Sequence, residues 1–235
     1  MLEIQNGHYT HGTFTLSIGF VARAGTLIAI LGPSGAGKST LLNIIAGFEI
    51  LNHGEVLIDG QNVSCLVPSQ RPVSMVFQDN NVFPHLTLWQ NVALGVAPNL
   101  RLGNPQKLIV DAAIARVGLT ALAQRKPGAV SGGERQRVAL ARVLVRPTKV
   151  LLLDEPFAAL DPGLRQDMLK LVKEITIERG LITLLVSHQP AEIRDSADAV
   201  VFVGNGLVRR AESPSTFYKN TADQAIATYL GKVSR

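Results

Sequence analysis

Short apolar runs without alternation recur along the chain: "TLIAIL" (26–31), "PVSMVF" (72–77), "KVLLLD" (149–154), "LITLLV" (181–186) and "DAVVFV" (198–203). A strand that is apolar on both sides of its pleat must be covered on both faces, and helical stretches between such strands make right-handed crossovers. The pattern predicts an α/β fold with a largely parallel central sheet. Two segments differ: "FTLSIGFVARAG" (14–25) alternates, and "GEVLIDG" (54–60) is a short strand between glycines. These predict an antiparallel β layer beside the parallel core. Between residues 79 and 147 no strand pattern appears, and helices are predicted over 87–96, 106–117 and 132–146. The organisation expected is one domain, 1–235, with a core of 1–78 and 148–235 and a helical subdomain, 79–147, inserted into it. In the tail, Asn205-Gly206 favours a type I′ hairpin turn, and two short helical stretches follow.

Composition narrows the setting. A chain of 235 residues suits one large domain with a real core. Its formal charge of +5 is spread through the sequence without a block of like charges, which suits an anionic ligand or surface and does not argue for nucleic acid as a partner. Cys65 is the single cysteine, so neither an intrachain disulfide nor a thiolate metal site can form, and a reducing cytosol is expected. The N-terminus lacks the basic flank and apolar stretch of a signal peptide, and no apolar run approaches the roughly 18 residues that span a bilayer. A soluble chain is expected.

"GPSGAGKS" follows an apolar strand and precedes a helical pattern, as a phosphate-binding loop must. Gly32, Gly35 and Gly37 let backbone N–H groups turn toward phosphates, with Pro33, Ser34 and Ala36 between them; Lys38 reaches the β- and γ-phosphates, Ser39 offers a hydroxyl to Mg2+, and Thr40 follows in the helix. "VLLLDEP" supplies the complementary acids. Asp154 can hold Mg2+, and Glu155, on the opposite side of the pleat by strand alternation, can polarise the water that attacks the γ-phosphate. Gln78 and His188 also follow predicted strands, at the carboxyl ends where open α/β sheets bind ligands. Gln78 is a candidate for metal and water, His188 for the γ-phosphate or the water.

A second anion grip is suggested by "VSGGERQRVALARVLV" (130–145). Ser131 and Glu134 have capping-box spacing, which by itself explains a helix start. Gly132 and Gly133 are not needed for a cap, and each costs about 0.5–1 kcal/mol relative to alanine inside a helix. Paired glycines would leave the N-terminal N–H groups open to a ligand, remote in sequence from Lys38.

Taken together, "GPSGAGKST", Gln78 after "VSMVF", "SGGERQRVALARVL", "LLLDEP", "ALD" and "SH" resemble, in order and spacing, the ATP-binding subunit of ABC transporters over nearly the whole chain. The resemblance implies a P-loop NTPase with a RecA-like core, ATP and Mg2+ as ligands, and ATP hydrolysis coupled to transport. It implies a homodimer in which Ser131–Gly133 of one copy cover the γ-phosphate of ATP held by the P-loop of the other, so two grips per chain make two composite sites. Tyr9 then corresponds to the aromatic that stacks on adenine, with a core tyrosine as the other reading and His11 as a weaker candidate. Asp161 corresponds to the acid that links the two sites across the dimer. Two departures stand out: Val130 and Glu134 occupy positions where the family usually has leucine and glutamine, and "AALD" has alanine where serine is common.

"RPVSMVFQDNNVFPHLTLWQNVALG" is most similar to importer ATPases, and Asn80-Asn81 with only 47 residues after His188 is most similar to those of thiamine importers. The alternative is the ATPase of a polyamine, iron or sulfate importer, and further off a non-transport ATPase of the same superfamily. Transmembrane permease subunits are the partners implied, with a periplasmic solute-binding protein as an indirect one, at the cytoplasmic face of the inner membrane. Phe83, Leu86 and Trp89 are either an apolar face for permease loops or ordinary subdomain core.

Overall fold

The computed structural model describes residues 1–77, 82–158, 160–220 and 222–231. The chain forms two compact units: a core unit of 1–73, 149–155 and 169–235, and a helical unit of 74–148 and 156–168. Relative to the expected insert, the helical unit starts earlier and takes in the segment after Glu155.

In the core unit the predicted apolar runs are strands, β3 (Thr26–Leu31), β7 (Val150–Asp154), β8 (Ile182–Val186) and β9 (Ala199–Gly204). They pair in parallel in the order β9-β3-β8-β7. All five residues of β8 are buried, and its one polar side chain, Thr183, shares a hydrogen bond of 2.6 Å with Thr176, whose hydroxyl is also placed to donate to Val172 O. A doubly covered strand tolerates threonine only when its hydroxyl is satisfied in this way.

The antiparallel layer is larger than alternation predicts. It holds β1 (Leu2–His11), β2 (Phe14–Ala22), β4 (His53–Ile58) and the two-residue β5 (Gln61–Asn62), in the order β5-β4-β1-β2. β1 escapes the sequence pattern because Asn6-Gly7 reads as a turn; Asn6 instead adopts φ 47° and the register shifts between Ile4 and Gly7, a bulge that keeps the strand paired on both sides. The short β10 (Leu207–Val208) joins the layers, antiparallel to β9 through the Asn205-Gly206 turn and parallel to β2. β6 (Val73–Val76) starts at the boundary of the units, where Pro72 O accepts from Lys149 N and Val150 N.

The helix after β3, α1 (Lys38–Ala46), has a partner that sequence reasoning missed. Arg71 is only 4% exposed, and its guanidinium donates to Ile44 O, Ile45 O, Ser64 O and Leu66 O at 2.8–3.0 Å. A cation spent on carbonyls at the negative end of α1 satisfies its last turn and complements its dipole.

The helical unit contains α2 (Leu88–Ala93), α3 (Asn104–Arg116) and α4 (Gly132–Leu144). Its centre is polar as well as apolar: Asn91 is fully buried, exchanges bonds with Phe83 N and O, and accepts from Arg142 Nη2 at 3.0 Å. Phe83, Leu86 and Trp89 are not core; Phe83 is 46% exposed, the other two are half-buried, and the α2 residues that point inward are Leu88, Asn91, Val92 and Ala93. α5 (Pro162–Glu178) runs from the helical unit into the core unit, and the tail carries α6 (Pro190–Ile193), α7 (Pro214–Lys219) and α8 (Gln224–Tyr229). Among the described residues no helix is long and apolar enough to cross a membrane.

Candidate nucleotide site

β3 delivers the chain to the loop 32–37 at its carboxyl end. Gly32 has φ 153°, and a Cβ there would meet Val203 O at 2.0 Å, so the loop can pass β9 only with glycine in this position. α1 then opens without help from its own sequence: Gly37 is the N-cap in the left-handed region, no side chain caps the helix, and no acid lies in its first turn. Its first N–H groups are therefore available to an anion.

Lys38 is 5% exposed. Its Nζ donates to Gly32 O at 2.9 Å and Pro33 O at 2.8 Å, so the ammonium is held across the mouth of its own loop. Burial pushes its pKa down, and the charges of Glu155 and Asp154 oppose that shift. One cleft of the core unit is lined by Ser34, Gly35, Gly37 to Thr40, Tyr9, Glu49, Glu155 and His188, among others.

Asp154 ends β7, hydrogen-bonded to the Ser39 hydroxyl; desolvation raises its pKa, partly offset by that bond. Glu155 does not follow by strand alternation, as expected from sequence. It lies one residue past the strand with φ 48°, a left-handed conformation that costs a non-glycine residue about 1–2 kcal/mol, and its N–H meets Val186 O at 3.3 Å. The backbone kink therefore aims this carboxylate, and its Oε1 lies 2.5 Å from His188 Nε2. Strain of this kind persists where surrounding contacts over-determine it, most often at functional sites. Tyr9 is 6% exposed, its ring lies edge-on to Phe14, and its hydroxyl donates to Glu49 Oε2 at 2.8 Å. Glu49 is a cleft residue that sequence reasoning missed, since its link to Tyr9 spans 40 positions. His11 also lines the cleft, and Gln78 lies outside the described residues.

In the helical unit Ser131 caps α4 through a full capping box: Glu134 N donates to Ser131 Oγ at 3.2 Å and Ser131 N to Glu134 Oε2 at 2.7 Å. The two glycines separate. A Cβ on buried Gly133 would meet Leu164 Cδ2 at 2.6 Å and Leu160 Cδ2 at 3.1 Å, whereas one on exposed Gly132 would meet only Arg135 Nη2 at 3.8 Å. Gly133 thus has a packing reason within the chain; Gly132 has none. Asp161 is exposed just before α5, in a loop that Arg165 braces by donating to Phe157 O and Leu160 O.

A raised carboxyl pKa has a consequence for stability. The folded state's preference for protonated Asp154 is fully expressed below the ordinary aspartate value and is lost as pH rises through the folded value, so the ionised group opposes folding at neutral pH. Asp154→Asn should accordingly raise the melting temperature of the nucleotide-free chain at pH 7, with the gain shrinking as pH falls toward about 3.9. A lower melting temperature at pH 7, or a gain independent of pH, would contradict this account of the site.

A parallel sheet with a phosphate loop at β3, an acid pair at the end of β7 and a capped Ser-Gly-Gly helix in a separate unit defines a P-loop ATPase of the cassette type. The profile described as ABC transporter matches residues 16–158, and the chain belongs to that family. It is 50% identical over 223 residues, 95% of this chain and 88% of the relative, to the thiamine import ATP-binding protein ThiQ of Mesorhizobium japonicum. The proteins of that name from a Ruegeria species and from Brucella suis are 48% and 46% identical, over 98% and 99% of this chain and 100% and 96% of their own lengths. Among solved structures, the dimeric ATP-binding cassette MJ0796 in a post-hydrolysis state bound to ADP and Pi superposes with a TM-score of 0.78 at 29% identity, covering 91% of this chain and 99% of that one.

Proposed function

We propose that this chain is the ATP-binding and hydrolysing subunit of an importer that brings thiamine into the cell, working as a homodimer docked on transmembrane permease subunits. The observation that carries the substrate is the 50% identity, spread over 95% of the chain, to a thiamine import ATP-binding protein. Nothing in charge or periodicity speaks of the cargo, because the subunit that burns ATP need not touch what is carried. The exposed Phe83, with half-buried Leu86 and Trp89 nearby, supports the reading of this stretch as a permease-facing surface. Delivery by a periplasmic solute-binding protein and a place at the cytoplasmic face of the inner membrane belong to the same reading.

In the mechanism, the triphosphate enters the cleft and draws Lys38 Nζ from the Gly32 and Pro33 carbonyls to its own oxygens, while the open N-terminus of α1 cradles it. The Ser39 hydroxyl and the Asp154 carboxylate would hold Mg2+. They fit it as a hydroxyl and a desolvated, charged carboxylate already within hydrogen-bond contact, a set that phosphate oxygens and water complete. Bound there, Mg2+ would neutralise charge on the phosphate oxygens. Glu155 accepts the proton of the attacking water, and His188 orients the Glu155 carboxylate and reaches the γ-phosphate. Gln78 completes the set on sequence grounds. Tyr9 packs against the base with Glu49 holding its hydroxyl. Ser131, Gly132 and Gly133 of the second copy close over the γ-phosphate, and Asp161 links the two sites.

Deleting the gene in its native host should abolish uptake of nanomolar labelled thiamine, restored by the wild-type gene and not by Lys38→Ala. Unchanged thiamine uptake with loss of iron, sulfate or polyamine uptake would overturn the cargo and leave the ATPase standing.

A further inference from the structure

His188 stands on irregular backbone between β8, which ends at Val186, and α6, which opens at Pro190. The side chain is exposed, yet its Nε2 lies 2.5 Å from Glu155 Oε1, a contact that a wandering turn would lose. α6 is four residues long, its N-cap Gln189 makes no side-chain capping bond, and Pro190 brings no N–H of its own.

A tie comes from the tail. Tyr218, in α7, donates its hydroxyl to Pro190 O, across 28 positions of sequence and two residues past His188. The guanidinium of Arg194, on the turn after α6, lies 5.5 Å from the centroid of the Tyr218 ring. One side chain thus grips the segment 190–194 at both ends, by its hydroxyl and by its ring face. The ring is itself anchored. It stands edge-on to Phe217 at 5.4 Å and 87°. Phe217 lies 6.0 Å from Phe202 of β9, both at most 2% exposed, and Tyr229 of α8 closes on Phe202 at 5.5 Å. Burial pushes the Tyr218 pKa up to about 12, so the hydroxyl remains a donor wherever hydrolysis is measured. A phenylalanine would pack in this ladder equally well; only the hydroxyl reaches the segment that carries His188.

We propose that Tyr218 is a positioning residue for ATP hydrolysis, fixing through Pro190 O the turn that presents His188 to Glu155. The proposal rests on the reading in which His188 orients Glu155 and reaches the γ-phosphate. Without the tie the turn samples other arrangements, and only the fraction with His188 in place is competent. ATP is gripped by Lys38 and the start of α1, which the tie does not touch. Loss of the hydroxyl should therefore slow the chemical step and spare binding.

In the full chain Tyr218→Phe should lower kcat with MgATP roughly two- to tenfold, the range for one neutral hydrogen bond, with the equilibrium affinity for ATP unchanged. His188→Ala should lower kcat further. In the His188→Ala background Tyr218→Phe should cost nothing more, because the tie then has nothing to position; single-turnover hydrolysis of radiolabelled ATP measures these residual rates. A second readout needs no turnover. With isotope-labelled histidine rings, the NMR signal lost in His188→Ala should move in Tyr218→Phe while those of the other four histidines stay. An unchanged kcat in Tyr218→Phe would overturn the proposal. So would a loss of rate that persists undiminished without His188, or one accompanied by an unmoved His188 signal, since either marks general damage to the tail. Wild-type turnover by His188→Ala would instead sink the reading of His188, and this proposal with it.

Discussion

Glu155→Gln should bind MgATP as the wild type does and hydrolyse it about 10²- to 10⁴-fold more slowly, the usual loss when a positioned base is removed. The substitution is conservative in every respect except charge and basicity: the side chain keeps its length, the N–H that meets Val186 O remains, and the left-handed kink at φ 48° is no worse for glutamine than for glutamate. An amide oxygen can still meet His188 Nε2, so the geometry around the γ-phosphate should survive. Phosphate release under steady state and equilibrium binding of a fluorescent nucleotide measure the two halves separately. Near-normal turnover would remove Glu155 from the role of base, and a parallel loss of binding would mean that the carboxylate holds the cleft together rather than activating water.

Gly132→Asp should leave ATP binding at Lys38 intact in the isolated chain and collapse hydrolysis, because the new carboxylate would stand against the γ-phosphate held by the second copy. The structure makes the experiment clean. A Cβ at Gly132 would meet nothing of its own chain closer than Arg135 Nη2 at 3.8 Å, and an acid in the first turn of α4 favours the helix by about 0.3–1 kcal/mol, so the variant should fold at least as well as its parent. Gly133→Ala is the contrasting control: its Cβ would press within 2.6 Å of Leu164 Cδ2 and 3.1 Å of Leu160 Cδ2, so without any nucleotide it should lack the gain of about 0.5–1 kcal/mol that alanine brings over glycine in an uncrowded helix. Mixing Gly132→Asp chains with Lys38→Ala chains should leave one intact composite site per mixed dimer and restore part of the turnover. Binding of ATP by isolated Gly132→Asp chains that fell as far as hydrolysis would place the glycine in the chain's own pocket instead.

Some of this protein was legible in the linear order of residues because the physics involved is local. An apolar run with no alternation can only be a strand covered on both faces, so β3, β7, β8 and β9 could be read within a residue or two of their ends. A phosphate loop is a contiguous backbone shape whose glycines, lysine and hydroxyl lie within nine positions, and a capping box is a matter of three-residue spacing. The family followed from several such local signals in the right order.

Only the tertiary structure could decide what depends on residues far apart in sequence or on the backbone's exact course. β1 was hidden because a bulge at Asn6 looks like a turn until two neighbouring strands are seen to pair with it. Arg71 at the end of α1 and Glu49 on Tyr9 are linked to their partners across 26 to 40 positions, and no periodicity encodes such a contact. The direction of Glu155 came from a left-handed residue where alternation implied a continuing strand. The two glycines at the start of α4, equivalent on paper, were told apart only by Leu160 and Leu164 arriving from beyond the helix. Charge behaved differently: the contiguous stretch 79–147 already carries nine Lys and Arg against three Asp and Glu, so the uneven division of charge could be read in linear order, whereas the contacts above depend on which residues folding brings together in space.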